Sequence, residues 1–174
     1  MTDVRYVLGI DPGVSGAVAC LRDDKLAWVE NMPTMALSGS KQQVNGAELS
    51  RLFKDRLTRL STGSFTDVIA YVEYVSARPG QGSSSGFNFG MSYGKLLGVF
   101  EALGIPYKLV TPQVWKKRAG VPGKKASEDG KRNINADMAR TVCQQLYPGA
   151  PLGLKKDIGK ADAILIARFG AKEA

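Results

Sequence analysis

Histidine is absent from the 174 residues, and cysteine occurs only twice, as Cys20 and Cys143. The two cysteines lie in apolar surroundings without CxxC spacing. That argues against a zinc site and against a disulfide framework, and fits a reducing, cytoplasmic setting. No apolar run approaches the ~18 residues of a membrane span, and no charged-then-apolar leader opens the chain. A soluble protein is expected. The length suits one well-buried core, so residues 1–174 are read as a single domain without a linker or internal repeat.

Acidic residues are the scarcer charge, 16 against 24 basic, for a net charge of +8. The surplus is concentrated. Lys108, Lys116, Lys117, Arg118, Lys124, Lys125, Lys131 and Arg132 face only Glu128 and Asp129 in the same segment. Such clustering is the footprint of a polyanion partner, although a solvated lysine-rich face gives the same count, and charge does not separate DNA from RNA.

Three β-like segments open the chain, Val4–Asp11, Gly16–Leu21 and Leu26–Asn31. The tight connections at Asp11-Pro12-Gly13 and Arg22-Asp23-Asp24 make them an antiparallel meander. Residues Pro33–Gln43 read as a loop. Leu49, Leu52, Phe53, Leu57 and Leu60 recur at helical spacing, predicting a helix over Gly46–Leu60. Asp67–Tyr74 reads as a buried strand, Ser76–Ser85 as a mobile loop, and Gly86–Leu103 as a helix. That helix carries Gly86, Gly90, Gly94 and Gly98, each costing ~1 kcal/mol relative to alanine. The repeat predicts a ridge for close approach of a helix, a second subunit or the protein's own sheet. Tyr107–Val110 is a further strand, and Thr111-Pro112 starts a turn or short helix carrying Trp115. A helix over Lys131–Tyr147 shows Ile134, Met138, Val142 and Leu146 on one stripe, with Pro148 as its stop. The last helix, Lys160–Ala171, is apolar around Asp162. The element order describes an α/β domain with a five-stranded mixed β-sheet flanked by helices.

Three carboxylates stand in or beside segments that such a fold buries: Asp11, Glu73 and Asp162. An ionised carboxylate there is costly unless cations or hydrogen-bond donors meet it. If the strands ending in Asp11 and Glu73 are neighbours, their acids converge, and the cluster repels itself until divalent cations neutralise it. Oxygen-only ligands favour Mg²⁺ or Mn²⁺. Two such ions activate a water and stabilise a leaving oxygen in phosphodiester hydrolysis. For Asp162 alone, a helix-dipole role is an equally simple reading.

The ordered set Val7-Leu8-Gly9-Ile10-Asp11-Pro12-Gly13, Val72-Glu73 and Lys156-Asp157-Ile158-Gly159-Lys160-Ala161-Asp162-Ala163 resembles the acidic motifs of RuvC-type Holliday junction resolvases in the RNase H-like superfamily. Gly80-Gln81-Gly82-Ser83-Ser84, Phe89-Gly90-Met91-Ser92-Tyr93-Gly94 and Gly104-Ile105-Pro106-Tyr107 to Val110-Thr111-Pro112-Gln113-Val114-Trp115-Lys116-Lys117 are similar to the phage and prophage branch. The resemblance spans about Val7 to Gly170. A lone Gly-Ile-Asp-Pro-Gly also opens sugar-kinase and actin-like ATPases, but no second glycine-rich phosphate loop follows, so no nucleotide cofactor is expected.

The resemblance implies an RNase H-like fold and a homodimeric crossover junction endodeoxyribonuclease in a bacterial or phage-infected cell, nicking two strands of four-way DNA. Asp11, Glu73 and Asp162 would be metal ligands, with two Mg²⁺ ions per site replaceable by Mn²⁺. Lys116 would stand near the scissile phosphate or make an ordinary phosphate contact. Arg78, Gln81, Phe87, Lys95, Lys117, Arg118, Lys131 and Arg132 would meet DNA, with Phe87 available for stacking on a base and Phe89 more at home in the core. Family members carry a fourth ligand about one helical turn before the position of Asp162, where this chain has Ile158 and Gly159. Asp157, five residues upstream, is then either that ligand or a helix cap. A branched-DNA nuclease of relaxed choice among flaps and forks, and a non-cleaving junction-binding protein, are the alternatives.

Overall fold

The computed structural model describes residues 6–39, 41–58, 65–76, 82–122 and 137–173. A five-stranded mixed sheet runs in the order β3-β2-β1-β6-β7. Its strands are β1 (Tyr6–Asp11), β2 (Ala17–Arg22), β3 (Lys25–Asn31), β6 (Val68–Glu73) and β7 (Tyr107–Val110). β1 and β2 are buried almost throughout, as their near-continuous apolar sequences require. The β2–β3 hairpin turns on Asp23 and Asp24, both at positive φ (48° and 61°), which is the backbone of a two-residue turn matched to strand twist. β1 pairs antiparallel with β2 but parallel with β6, and β6 pairs parallel with β7.

Side chains alternate across these strands, so each face has its own core. Tyr6, Leu8 and Ile10 of β1 join Val68, Ala70 and Val72 of β6 beneath α1 (Gly46–Thr58) and α2 (Ser83–Leu103). Phe53 of α1 stacks on Phe100 of α2 there, with ring centroids 5.1 Å apart. On the opposite face, Val7, Ala17, Ala19 and Tyr71 pack with Trp115 of α3 (Pro112–Ala119), Ala139 and Cys143 of α4 (Met138–Leu146), and the apolar side of α5 (Ile158–Ala171). α5 lies directly over β1. A Cβ on Gly9 would stand 2.1 Å from the Ala163 carbonyl oxygen, and one on Gly159 would stand 2.5 Å from the Ser15 carbonyl oxygen. Bare backbone at these two positions is therefore what lets the helix settle on the strand.

Several sequence expectations are corrected. The segment read as a loop over Pro33–Gln43 contains β4 (Thr34–Ala36), which pairs antiparallel with β5 (Gln42–Val44). These strands are only three residues each, too short to show a period. α2 starts at Ser83, three residues before its first glycine, and so takes in the end of the expected loop. Its Gly86, Gly90, Gly94 and Gly98 do not pack on the sheet: a Cβ at any of them would meet nothing within 4 Å. α4 begins at Met138 and buries Ala139 and Cys143, whereas Leu146 of the expected stripe is exposed. Residues 131–136 of that expected helix lie outside the described residues. Among the described residues no helix is long and apolar enough to cross a membrane.

Candidate active site

Register places the first two acids together. Ile10 pairs with Val72 in the parallel β1–β6 ladder, so the next residues, Asp11 and Glu73, end adjacent strands side by side. Both fall on the alternation of Val7 and Gly9, and of Ile69 and Tyr71, and so both point to the face covered by α5. Asp162 precedes Ala163, the residue whose carbonyl rests on Gly9. The close helix–strand contact thus delivers the third carboxylate to the other two.

The electrostatics record this convergence. Burial, then the Asp162 and Glu73 carboxylates, push Asp11 up to about 7, against weaker opposing effects of the Gly13 backbone N–H and Lys116. Asp162 is pushed up to about 6 chiefly by burial, with Lys116 opposing and Glu73 adding to the rise. Its Oδ1 is buried and has no hydrogen-bond partner among the described residues. Glu73 is held from two sides. Trp115 Nε1–H donates to Glu73 Oε2 at 2.8 Å, and the Tyr93 hydroxyl donates to the Glu73 carbonyl at 3.3 Å. Lys116 lies with its ammonium 5.0 Å from the centre of the Trp115 ring.

These donors fit a hard divalent cation: carboxylate oxygens only, one of them buried and unpartnered, with two proton affinities raised by burial and then by neighbouring carboxylates. Among the described residues, however, no three His, Cys, Asp or Glu side chains already stand at metal-binding separations.

The other expected site residues are distributed differently. Asp157 is 5% exposed, ends a 3₁₀ turn over Lys155–Asp157, and accepts the Leu154 N–H on Oδ2 at 2.8 Å. Its Oδ1 is 3.3 Å from Lys160 Nζ, and these contacts, the Leu154 hydrogen bond first, hold its carboxyl below the usual range. The carboxylate therefore closes the 3₁₀ turn that leads into α5 and makes no side-chain capping bond to the backbone of the first turn of α5 itself. Lys95 turns toward β5 and donates to Gln43 Oε1. Lys117 is exposed, and Arg118, also exposed, pairs with Glu173 at 2.8 Å. Phe87 is 69% exposed, while Phe89 is partly buried against Tyr93, ring centroids 6.1 Å apart. Arg78, Gln81, Lys131 and Arg132 lie outside the described residues. Sequence reasoning missed the partnership of Trp115 with Glu73. The available signal was a tryptophan beside Lys116, whose indole N–H needs an acceptor once buried.

No family model and no curated protein matches the chain's sequence. Solved structures match its fold. A structure titled "T. thermophilus RuvC in complex with Holliday junction substrate" is similar over 97% of this chain and 96% of that one, with a TM-score of 0.58 and 15% identity. A second, titled "Thermus thermophilus RuvC structure", covers the same shares at a TM-score of 0.48 and 16% identity. The first likeness establishes the fold as the RuvC-type, RNase H-like arrangement.

Proposed function

We propose that this chain is a divalent-metal-dependent endonuclease that resolves four-way DNA junctions, a resolvase of the RuvC type and of its phage and prophage branch. The observation that carries the reading is the meeting of Asp11, Glu73 and Asp162 on one sheet face, with Asp11 raised to about 7 by burial and by the other two acids. The RuvC-type fold and the junction named in its structural neighbour's title supply the substrate class.

In this reading Asp11, Glu73 and Asp162 hold Mg²⁺, or Mn²⁺ in its place, two ions per site. The bound ions would supply an activated water and neutralise charge at the leaving oxygen. Lys116 holds a non-bridging phosphate oxygen and opposes the charge that develops there. Lys117 and Arg118 track the flanking backbone, together with Arg78, Gln81, Lys131 and Arg132. Phe87 offers an exposed ring for base stacking. Cleavage leaves a 3′-hydroxyl and a 5′-phosphate. The open glycine face of α2, with Met91 exposed on it, supports a homodimer that nicks two strands in pairs. Residues 1–174 act as one nuclease domain, in the cytoplasm of a bacterial or phage-infected cell.

The experiment is cleavage of an immobile four-way junction, a flap, a fork and linear duplex in Mg²⁺ and in Mn²⁺. Paired symmetric nicks in the junction are expected, lost in Asp11→Asn with binding retained. Equal cutting of flaps and forks would replace this reading by a relaxed branched-DNA nuclease. Binding without nicking in Mn²⁺ would replace it by a junction-binding protein.

A further inference from the structure

Glu73 is the least constrained of the three acids by covalent geometry, since its carboxylate stands one methylene farther from the backbone than an aspartate's. Its strand fixes where the side chain leaves the backbone but not where the carboxylate ends. Trp115 supplies that constraint. The indole is fully buried among Val7, Ala17, Val110, Val121 and Leu152, so it cannot follow the carboxylate; the carboxylate must come to it. Trp115 stands in the first turn of α3, where its backbone N–H reaches the Thr111 carbonyl at 3.3 Å and Pro112 pre-sets the helix. The hydrogen bond to Glu73 Oε2, 2.8 Å long, leaves Oε1 as the oxygen without a bond to the indole. The other surface of the same ring carries the Lys116 ammonium, which acts on Asp11 and Asp162.

We infer that Trp115 is a positioning residue: its indole N–H fixes the Glu73 carboxylate for metal binding, and its ring face holds Lys116 beside the same site. One rigid side chain thereby keeps a metal ligand and a phosphate-contacting cation in mutual register. A bond from an outer partner to a ligating carboxylate is of the kind whose loss weakens metal binding 10–100-fold. This role rests on the metal-site reading above.

The test measures Mn²⁺ affinity by titration calorimetry and by thermal shift at constant pH, neither of which needs cleavage. Trp115→Phe keeps an aromatic face for Lys116 and removes the N–H. Its Mn²⁺ dissociation constant is expected to rise at least tenfold, with cleavage largely restored at saturating Mn²⁺. If the smaller ring unsettles the core, the second probe is β-(3-benzothienyl)alanine, isosteric with tryptophan but lacking the N–H. Incorporated in a Trp28→Phe background, where position 115 is the remaining tryptophan, it must reproduce the weakening. In Glu73→Ala, which removes the acceptor, the effect of Trp115→Phe must shrink to within twofold, because its route is removed. Unchanged Mn²⁺ affinity in both indole replacements, or equal weakening with and without Glu73, overturns the positioning role while leaving the site intact. If the unmodified protein binds no Mn²⁺ and cuts nothing, the site reading fails and this inference with it.

Discussion

Replacing Asp11 by asparagine is expected to stabilise the metal-free protein at alkaline pH. In the folded state the Asp11 carboxyl is raised from 3.8 to about 7. A carboxyl shifted in that direction binds its proton more tightly when folded. Stability is then greatest below the unfolded value, falls as pH rises from about 4 to 7, and stays low above it. At ~1.36 kcal/mol per pH unit, the interval corresponds to about 4 kcal/mol lost between pH 4 and pH 8. Asparagine carries no charge at any pH and keeps an oxygen to accept the Gly13 N–H. In EDTA at pH 8, Asp11→Asn should therefore melt higher than the unmodified protein, by on the order of 5–15 °C for a chain of this size. The advantage should shrink toward zero as pH approaches 4. Added Mn²⁺ should reverse the order at pH 8, raising the melting temperature of the unmodified protein and leaving the variant nearly unmoved. Differential scanning fluorimetry over pH 4–9, with EDTA and with Mn²⁺, reads all of this. A variant that melts at or below the unmodified protein at every pH in EDTA refutes the account of Asp11 as a buried charge opposed by its neighbours.

Three further outcomes are expected. Gly9→Ala puts a methyl group against the Ala163 backbone, which no rotamer change relieves. It should cost at least about 1–3 kcal/mol by chemical denaturation and abolish nicking; a loss under about 0.5 kcal/mol would show that α5 does not rest on β1 as described. Lys116→Met removes the cation that holds down both Asp11 and Asp162. The metal-free variant should melt lower than the unmodified protein at pH 8 but not at pH 4, where both carboxyls are protonated, and junction cleavage should fall roughly 10²-fold with binding changed only a few-fold. Burial pushes the Cys20 and Cys143 thiols up to about 12, so a disulfide reagent at pH 8 should label neither in the native protein and both in denaturant; rapid native labelling would contradict their burial.

The parts of the fold readable in advance are those where one local pattern determines the outcome. The apolar runs of β1 and β6, each ending in an acid, are strands because a five-residue apolar run rich in β-branched and aromatic residues has few alternatives. Asp23-Asp24 could be read as a tight turn because few residue types tolerate positive φ. The small β4–β5 ribbon was hidden because three residues carry no period. On α4, Met138 and Val142 of the expected stripe pack partly against the core, while the fully buried places go to Ala139 and Cys143, small enough for the close approach of α5. At the site, carboxylates stand out in apolar sequence, so Asp11, Glu73 and Asp162 were visible. A tryptophan beside Lys116 signals that its indole N–H needs an acceptor, but that the acceptor lies 42 positions earlier is a tertiary fact. Asp157 stayed ambiguous for a related reason: whether an acid before a helix caps or ligates depends on which backbone N–H it meets, here that of Leu154.

The contact of α5 with β1 also bears on how the protein is made. It joins Gly9 to Ala163, which follows it by more than 150 positions in the chain. A nascent chain halted before Ile158 leaves Val7, Ala17 and Ala19 without the helix that covers them, and carries two of the three acids. Such a fragment is a client for chaperones and proteases with an incomplete acid set. Burial of that strand face and completion of the acid set thereby depend on one event, the docking of α5 on β1.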